Sequence, residues 1–347
     1  MALKVSNNQP NLMKAYTSPN FRSKAISTNS VFDYVELWLR RKKGQKYEEA
    51  QYYWSQAKAF CKASEMLPAE ARPLTMYYSC MNAAKTLLAL HDIPLENIGH
   101  GVTSSRVATT GNIVHDMITY NGGTPGTGSV LWNLSYLLGD PATKQTYCVY
   151  DLLYNLPCVH RAFCVSNSVT ELFIPIFPHG FETDQHQRIY YSFEISSKYS
   201  YTIKYLTQFN KLPMKNGDNY VFHTKINSTY KWELHNKTQE ERIERLQEYY
   251  KKNRLEFYFI KGIETKWYVK KVLPQNSHLI KRTPITISYG IMHWLSELVR
   301  YKPEAFRQLM KSKQNWVINE FLEVGLSQFI DEIASEITGS DISPLYK

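Results

Sequence analysis

The chain has 347 residues, which suits one large domain or two to three smaller ones, and its 43% hydrophobic and 21% charged residues are ordinary for a globular protein. No apolar run is as long as a membrane span or a signal-peptide core, and five cysteines predict reduced thiols, so we expect a soluble cytoplasmic protein without a membrane partner. The net charge of +10 favours an acidic partner, and nucleic acid is the first candidate.

The N-terminal part of the chain is predicted to be an arm followed by helices. Residues 1–29 are rich in Asn, Ser and Lys, which predicts a flexible N-terminal arm. A helix begins after Ser30, a suitable N-cap, and a second follows at 47–66. The stretch LTMYYSCMNAAKTLLALH is apolar on almost every side, as is typical of a buried helix. We therefore predict a helical region over 30–165.

Residues 166–282 have the composition of a β-rich region. Short β-branched and aromatic stretches such as RIYYSFEI, NYVFHTKI and LEFYFIKG alternate with polar turns and predict antiparallel strands. One helix, TQEERIERLQEYYKKN, interrupts them, with Thr238 and Glu241 as a capping box. The region is also basic, because residues 231–282 carry 13 Lys and Arg against 7 Asp and Glu.

The C-terminal part, residues 283–347, returns to a helical pattern. Thr283 and Pro284 suit the N-cap and first position of a helix, and NWVINEFLEVGLSQFIDEIASEIT carries a broad apolar stripe. The order helical, β-rich, helical predicts an α+β fold. We expect the N- and C-terminal helical parts to form one core, with a β-rich antiparallel middle segment.

The stretch GTPGTG, residues 123–128, has the glycine frame of a phosphate-binding loop. Such a loop needs a lysine for the β- and γ-phosphates and then a Ser or Thr for Mg²⁺, whereas Ser129 and Val130 follow here. The pattern instead predicts a glycine-rich connector, with Ser129 as the N-cap of the helix VLWNLSYLL. We expect neither a bound nucleotide nor any other cofactor.

Cysteine and histidine residues lie close together in the stretch CVHRAFC. Cys158, His160 and Cys164, with His179 and His186 further on, match none of the usual zinc-ligand spacings, so no metal site is predicted. The chain also lacks the G-x-S-x-G stretch of serine hydrolases. Buried packing is the simpler interpretation of the two cysteines.

Aromatic and basic residues interleave in the β-rich region, as they do on surfaces that stack bases and contact phosphates. This pattern predicts nucleic-acid binding, with RNA favoured over DNA. Strand alternation also buries half of the side chains, so core packing is the alternative for the aromatic residues. For the arginine of the C-terminal helix, a simple helix-end charge is the alternative. The predicted nucleic-acid-binding residues are Lys231, Trp232, Lys261, Lys266, Trp267, Lys270, Lys271 and Arg300.

Two stretches of the chain carry a family pattern. The first lies within residues 54–102 and the second, ISYGIMHWLSELVRYKPEAFRQL, includes Arg300, Tyr301 and Pro303. In this order they resemble the YaaC-like family of bacterial proteins, and with the lengths between them the resemblance covers about residues 45–335. The glycine- and threonine-rich loop departs from that family. The matching residues of the first stretch are Trp54, Ala57, Phe60, Pro73, Tyr77, Tyr78, Asn82, Ala84, Lys85, Leu88, His100 and Gly101.

The first stretch is also similar to HEPN domains, helical modules of many ribonuclease toxins and defence proteins. Those enzymes carry an Arg followed five to seven residues later by a His, which act on the RNA 2′-hydroxyl and the scissile phosphate. No Arg and His here have that spacing, so the resemblance implies the helical scaffold without the usual nuclease chemistry. His100 lies in a turn where it could act with Lys85 and Asn82 of the neighbouring helix. Alternatively, Asn82 and His100 fasten the turn to that helix.

Three functions stay open from the sequence. The first is a non-catalytic nucleic-acid-interacting or scaffolding protein, in a bacterial anti-phage defence or stress system. The second is an atypical HEPN-like ribonuclease with Asn82, Lys85 and His100 as candidate catalytic residues. The third is a protein-interaction subunit whose basic surface binds an acidic partner. Whether the protein is an enzyme stays open, although the missing signatures argue against it, and an oligomer or a larger complex is a further alternative.

Overall fold

The N- and C-terminal parts of the chain are mainly helical, and the segment between them forms a six-stranded antiparallel sheet. The computed structural model describes residues 1–106, 113–124, 128–233, 237–262, 264–273 and 278–344. The helices, in chain order, are α1 (Val31–Arg40), α2 (Gln45–Glu65), α3 (Arg72–Leu90), α4 (Val130–Leu138), α5 (Val149–Tyr154), α6 (Pro157–Asn167), α7 (Gln239–Lys252), α8 (Pro284–Tyr301), α9 (Pro303–Lys311), α10 (Asn315–Glu320) and α11 (Leu326–Thr338). A π-helical segment, Phe321–Gly325, joins α10 to α11.

The strands form three sheets. They are β1 (Ile26–Thr28), β2 (Val102–Ser105), β3 (Met117–Tyr120), β4 (Gln145–Cys148), β5 (Phe173–Thr183), β6 (Ile189–Ile195), β7 (Phe209–Asn216), β8 (Asn219–Thr224), β9 (Phe257–Ile260), β10 (Lys266–Lys270) and β11 (Ile342–Pro344). The largest sheet has the antiparallel order β7-β8-β6-β5-β10-β9, the second has the order β2-β3-β4, and β1 pairs with β11 in parallel. The α+β fold predicted from the sequence is confirmed.

Several helix starts follow directly from side-chain capping. The Ser30 side chain accepts a hydrogen bond from the Asp33 N–H, and the Ser129 side chain accepts one from the Trp132 N–H. Thr238 and Glu241 form the capping box predicted for α7. These bonds satisfy N–H groups that have no partner inside the helix, which is why short local patterns placed these helices correctly.

The larger hydrophobic core joins the helices of both terminal parts, as predicted. α3 and α8 cross its centre, where Leu87, Trp294 and Ile333 of α3, α8 and α11 are fully buried. The Trp294 indole N–H donates to the Asp116 carboxylate at 3.1 Å, which satisfies its polar atom inside the core. The three-stranded sheet β2-β3-β4 also lies within residues 30–165, where the sequence pattern pointed mainly to helices.

A second hydrophobic core lies between the six-stranded sheet and α7. Alternate residues of the strands enter it, among them Phe193 of β6, Phe222 of β8 and Trp267 of β10, and Leu246 and Tyr250 of α7 close it. The pairing of Trp267 with Ile176 and of Phe193 with Phe222 fixes which face of each strand is buried.

The N-terminal segment packs into this second core, whereas its composition predicted a flexible arm. Its buried apolar residues include Leu3, Val5 and Tyr16. The Lys14 ammonium is fully buried and lies 2.6 Å from the Asp331 carboxylate of α11. The polar composition of the segment does not predict this packing, because only a few apolar residues and one buried ion pair anchor the segment.

Within the described residues, no helix combines the length and the apolar character needed to cross a membrane.

Candidate functional site

Four ring side chains from three parts of the chain meet at one end of the helical core. Tyr77 belongs to α3, His100 to the turn before β2, and Tyr289 and His293 to α8. The Tyr77 hydroxyl lies 2.5 Å from Nδ1 of His100 and 3.2 Å from the Tyr289 hydroxyl. The His293 ring centroid is 5.1 Å from that of Tyr77 and 5.7 Å from that of His100. We call these four residues the His100 cluster.

The backbone of neighbouring elements holds the turn that carries His100. The N–H groups of Val130 and Leu131, at the start of α4, donate to the carbonyls of Gly99 and His100 at 2.9 and 3.2 Å. Gly101 has φ +86°, and a Cβ there would lie 1.9 Å from the Ser129 Oγ. Only glycine allows both this backbone and this contact. The helix that follows the glycine-rich stretch therefore positions His100.

The glycine-rich loop itself lies partly outside the described residues, because residues 125–127 are among those that the structure does not describe. Its last predicted feature, the Ser129 N-cap, is present.

Burial keeps the imidazole of His293 neutral. The residue is 4% exposed, and burial lowers its pKa to about 4, with His100 and Arg300 lowering it further. Its Nδ1 has no hydrogen-bond partner among the described residues and lies 3.7 Å from the Glu297 carboxylate. The Ser104 hydroxyl donates to the same carboxylate at 2.5 Å. Near pH 7 this imidazole is therefore neutral, and its Nδ1 can take part in a hydrogen bond.

His100 is the exposed member of the cluster. Partial burial lowers its pKa, the charges of Arg300 and Lys85 lower it further, and Glu297 opposes them. Because Nδ1 is engaged by Tyr77, Nε2 is the nitrogen that a ligand would meet. The cluster thus presents a neutral imidazole beside two cations, an arrangement suited to an anionic group.

The charges of two cations, Lys85 and Arg300, act on the cluster, because both lower the pKa of His100. The Lys85 ammonium lies 5.2 Å from the Tyr53 ring centroid, and burial lowers its pKa. Arg300 is exposed and its guanidinium lies 4.7 Å from the Tyr301 ring centroid, a ring that is itself 68% exposed. A cation over an aromatic face keeps the side chain extended along the surface.

The structure separates the three candidate catalytic residues predicted from the sequence. His100 belongs to the cluster, and Lys85 acts on it through its charge. Asn82 is buried, and its side-chain amide donates to the Tyr78 carbonyl one turn earlier on α3 at 2.8 Å. Asn82 therefore satisfies its own helix and does not reach the cluster through that bond.

Half of the predicted nucleic-acid-binding residues have buried side chains. Trp232 and Trp267 belong to the second hydrophobic core, so they cannot stack on bases in this fold. The Lys270 ammonium donates to the Ile280 carbonyl, and burial lowers its pKa to about 7. The Lys271 ammonium donates to the Glu171 carbonyl at 2.6 Å. Both faces of β10 are covered, because Trp267 enters the second core whereas the Lys270 ammonium lies near the Phe173 and Tyr258 rings of the larger core, so these buried side chains do not support the predicted binding surface.

The other four predicted residues do not form one patch. Lys231 is half-buried and pairs through its backbone with Arg188. The Lys261 ammonium lies 3.4 Å from Asp331 of α11, and Lys266 is exposed on β10. Arg300 lies on α8 beside the His100 cluster, so it is the member that the structure joins to the candidate site.

Sequence reasoning missed the contribution of α8. Tyr289, His293 and Glu297 are spaced four residues apart, and such residues share one face of a helix. Three polar side chains at this spacing along an otherwise apolar helix are the feature of the sequence that could have indicated a site on α8. Their proximity to Tyr77 and His100 could not be read from it, since nearly two hundred residues separate the two stretches.

The Cys158, His160 and Cys164 stretch is structural. The His160 Nδ1 contacts the Tyr154 carbonyl at 2.8 Å and Nε2 accepts from the Leu172 N–H at 2.8 Å. Burial lowers the pKa of this imidazole to about 4. No group of His, Cys, Asp and Glu residues with the geometry of a metal site occurs in the described ranges.

A model of one protein family, described as YaaC-like Protein, matches residues 7–337. The match contains all four residues of the His100 cluster. No curated protein and no solved structure matches the chain.

Proposed function

The chain belongs to the YaaC-like family, and from that premise we propose that it binds nucleic acid, single-stranded RNA in the first place, on the surface around His100. The observation that carries the proposal is the convergence of a neutral imidazole with Lys85 and Arg300, which come from three separate parts of the chain. Cations and uncharged donors in one place are the groups that contact phosphates.

Exposed aromatic rings near these cations support the same ligand. Tyr301 is next to Arg300, and Lys85 packs on Tyr53, whose neighbour Tyr52 is 61% exposed. Tyrosine rings stack on unpaired bases while cations follow the backbone, and this combination favours a single strand over a duplex. The net charge of +10 assists the approach of a polyanion.

A second candidate function, an atypical ribonuclease, is favoured by the Tyr289–Tyr77–His100 chain of hydrogen-bonded groups. In such a reaction Nε2 of His100 takes the proton of the RNA 2′-hydroxyl, and the 2′-oxygen forms a bond to phosphorus. The bond from phosphorus to the 5′-oxygen breaks, and the leaving oxygen takes a proton from water. Arg300 would offset the charge on the phosphate.

An acidic protein partner, a role in bacterial defence or stress, a HEPN-like origin of the helical part and an assembly of several chains stay predictions from the sequence. The buried positions of Trp232, Trp267 and Lys270 weaken the version that placed RNA on the β-rich region.

Binding is tested by fluorescence anisotropy with a labelled single-stranded RNA at two salt concentrations. We expect Arg300→Gln to weaken binding and to reduce the slope of log affinity against log salt by about 1. Lys266→Gln removes the same charge from an exposed position on β10 and serves as the matched control. Undetectable binding at low salt, or a loss with Lys266→Gln but not with Arg300→Gln, contradicts the proposal.

Cleavage is tested separately by incubating the same RNA with the protein in EDTA. A ribonuclease centred on His100 loses its activity in His100→Asn even at protein concentrations that saturate the weakened binding of the RNA. If the wild-type protein leaves the RNA intact, the ribonuclease function is excluded and the binding function is unaffected.

A further inference from the structure

A cleft of about 430 Å³ lies beside α3, on a different face of that helix from the His100 cluster. It is bordered by the start of α1, the second half of α2, the start of α3, the π-helical segment and the start of α11. Met76 lines this cleft, whereas the next residue, Tyr77, belongs to the cluster. The volume falls within the range of sites for small molecules.

The floor of the cleft is apolar. Met76, Leu322, Leu326 and Ile330 are each no more than 6% exposed and belong to the larger hydrophobic core. An apolar group that entered the cleft would be covered by these side chains and would leave water.

Cations from different elements line the rim. Lys58 lies 2.5 Å from Asp33, and Arg72 Nη1 lies 2.5 Å from Glu323, so these cations already have carboxylates. Lys62 has no carboxylate within ion-pair distance among the described residues. It supplies an exposed positive charge that lowers the pKa of the Asp33 carboxyl without forming an ion pair with it.

Arg72 also carries a donor without an acceptor. Its Nε–H is buried and has no hydrogen-bond partner in the part of the chain that the structure describes. An unpaired buried donor is unfavourable, so an acceptor in this place stabilises the fold. This donor and the Lys62 ammonium together favour an oxyanion as the ligand of the cleft.

The π-helical segment shapes one wall. It presents Leu322 and Glu323 to the cleft, and the Leu322 carbonyl accepts a bond from Arg72 Nη2 at 3.5 Å. A Cβ on Gly325 would lie 2.8 Å from the Phe321 ring, so the segment is closely packed. π-helical turns within α-helices occur often at functional sites.

We propose that this cleft binds a small amphipathic anion, a short apolar chain that ends in a carboxylate or phosphate. The apolar chain lies on Met76, Leu322 and Leu326, and the oxyanion accepts from the Arg72 guanidinium and Lys62. This site is independent of the RNA function proposed above.

Calorimetric titration with four eight-carbon probes tests the ligand class. Octanoate and octyl phosphate should bind, while octanol and octylamine should bind at least about tenfold more weakly, since one charged hydrogen bond contributes about 1.5–3 kcal/mol. A stronger response to octyl phosphate than to octanoate identifies a phosphate ligand, and the reverse identifies a carboxylate. Equal binding of octanol and octanoate overturns the proposal.

Two variants test the assigned donors. Arg72→Lys keeps the charge beside Glu323 but removes the Nε donor, and Lys62→Gln removes the exposed charge. Each should weaken octanoate binding about tenfold, since the loss of one charged hydrogen bond is of that size. Arg307→Gln, beside Glu304 on α9, is the matched control. Unchanged binding in Lys62→Gln, an exposed change that leaves the fold intact, contradicts the assignment.

Cys61 provides a local readout, because it lines the cleft and is half-buried. Octanoate should slow its alkylation by iodoacetamide several-fold and leave the half-buried Cys148 unchanged. Equal rates at Cys61 with and without octanoate place the probe elsewhere. His100→Asn should bind octanoate like the wild-type protein, so failure of this site and failure of the RNA site remain distinguishable.

Discussion

The Tyr77 hydroxyl lies 2.5 Å from Nδ1 of His100, and this short contact joins a buried residue of α3 to an exposed residue of the following turn. It fixes the orientation of the imidazole and directs Nε2 away from the helix. The same hydroxyl contacts the Tyr289 hydroxyl of α8. The Tyr77 oxygen therefore links α3 and α8, which carry the two stretches of the family pattern.

Tyr77→Phe should therefore weaken RNA binding, because the imidazole loses its anchor. One neutral hydrogen bond contributes about 1 kcal/mol, so we expect roughly a fivefold loss of affinity. Anisotropy measures it. Tyr78→Phe, the neighbouring residue that stacks on Phe60, is the control and should keep wild-type affinity. Equal affinities in both variants contradict the anchoring role.

The stability of the protein should fall in acid partly through His293. Its pKa is about 4 in the folded protein against 6.5 for the free side chain, so the unfolded chain binds more protons between these values. The stabilising contribution is present above pH 6.5 and is lost as the pH falls towards 4, by about 3 kcal/mol at most. Chemical denaturation at pH 7 and pH 4.5 measures the change.

His293→Asn should flatten this dependence. His100, Arg300 and Glu297 also face the imidazole, and His100→Asn serves as the comparison because that side chain is exposed. If the free energy of unfolding of His293→Asn changes with pH as it does in the wild-type protein, the buried neutral imidazole of His293 is not the cause of that change.

Glu332 should give the opposite dependence at alkaline pH. Complete burial on α11 raises its pKa to about 8 from 4.5, so the folded protein holds a proton that the unfolded chain releases. Stability is retained below pH 4.5 and is lost as the pH rises to 8 and above. Glu332→Gln keeps the hydrogen-bonding shape and should remove this loss, as urea denaturation at pH 6 and 9 would show.

The buried pair of Lys14 and Asp331 should be strongly asymmetric to mutation. Lys14→Met leaves the buried Asp331 carboxylate with the Lys261 ammonium, at 3.4 Å, as its remaining ion-pair partner among the described residues, and should destabilise the protein by up to about 3–5 kcal/mol. The double change with Asp331→Leu should recover much of that loss, because neither charge is then buried. Thermal denaturation compares the three proteins. Equal loss in the single and double variants rules out the ion pair as the cause.

Lys270→Met should leave RNA binding unchanged, because this ammonium is buried against the Ile280 carbonyl. Its pKa of about 7 in the folded protein lies below 10.5, so stability rises with pH between these values and the variant should lose that rise. Anisotropy and denaturation at pH 7 and 9.5 provide the two measurements. If a folded Lys270→Met variant binds RNA more weakly, the RNA site lies on the β-rich region and not around His100.

Much of the secondary structure could be predicted because it depends on near neighbours. Ser30, Ser129 and Thr238 cap helices through bonds that span three residues, and a local pattern contains all that such a bond requires. The candidate site could be predicted only in part. His100 could be selected from the sequence because it lies beside a glycine in a turn. His293 could not, because it joins the site only when α3 packs against α8.

The interleaved Trp and Lys residues show the limit of alternation. Period two puts Trp267 and Lys270 on opposite faces of β10 but does not say which faces are covered. In the structure both are, since Trp267 packs in the second core and the Lys270 ammonium lies near Phe173 and Tyr258 of the larger core.

The sequence by itself determined the α+β class, the helix caps, the basic charge and the family, because composition and short-range bonds carry that information. Only the tertiary structure decided that the N-terminal segment is anchored by Lys14, that Trp232 and Trp267 are buried, and that His100 and His293 lie together. These outcomes depend on burial, which lowers the pKa of an imidazole or hides an indole only after distant segments have packed around it.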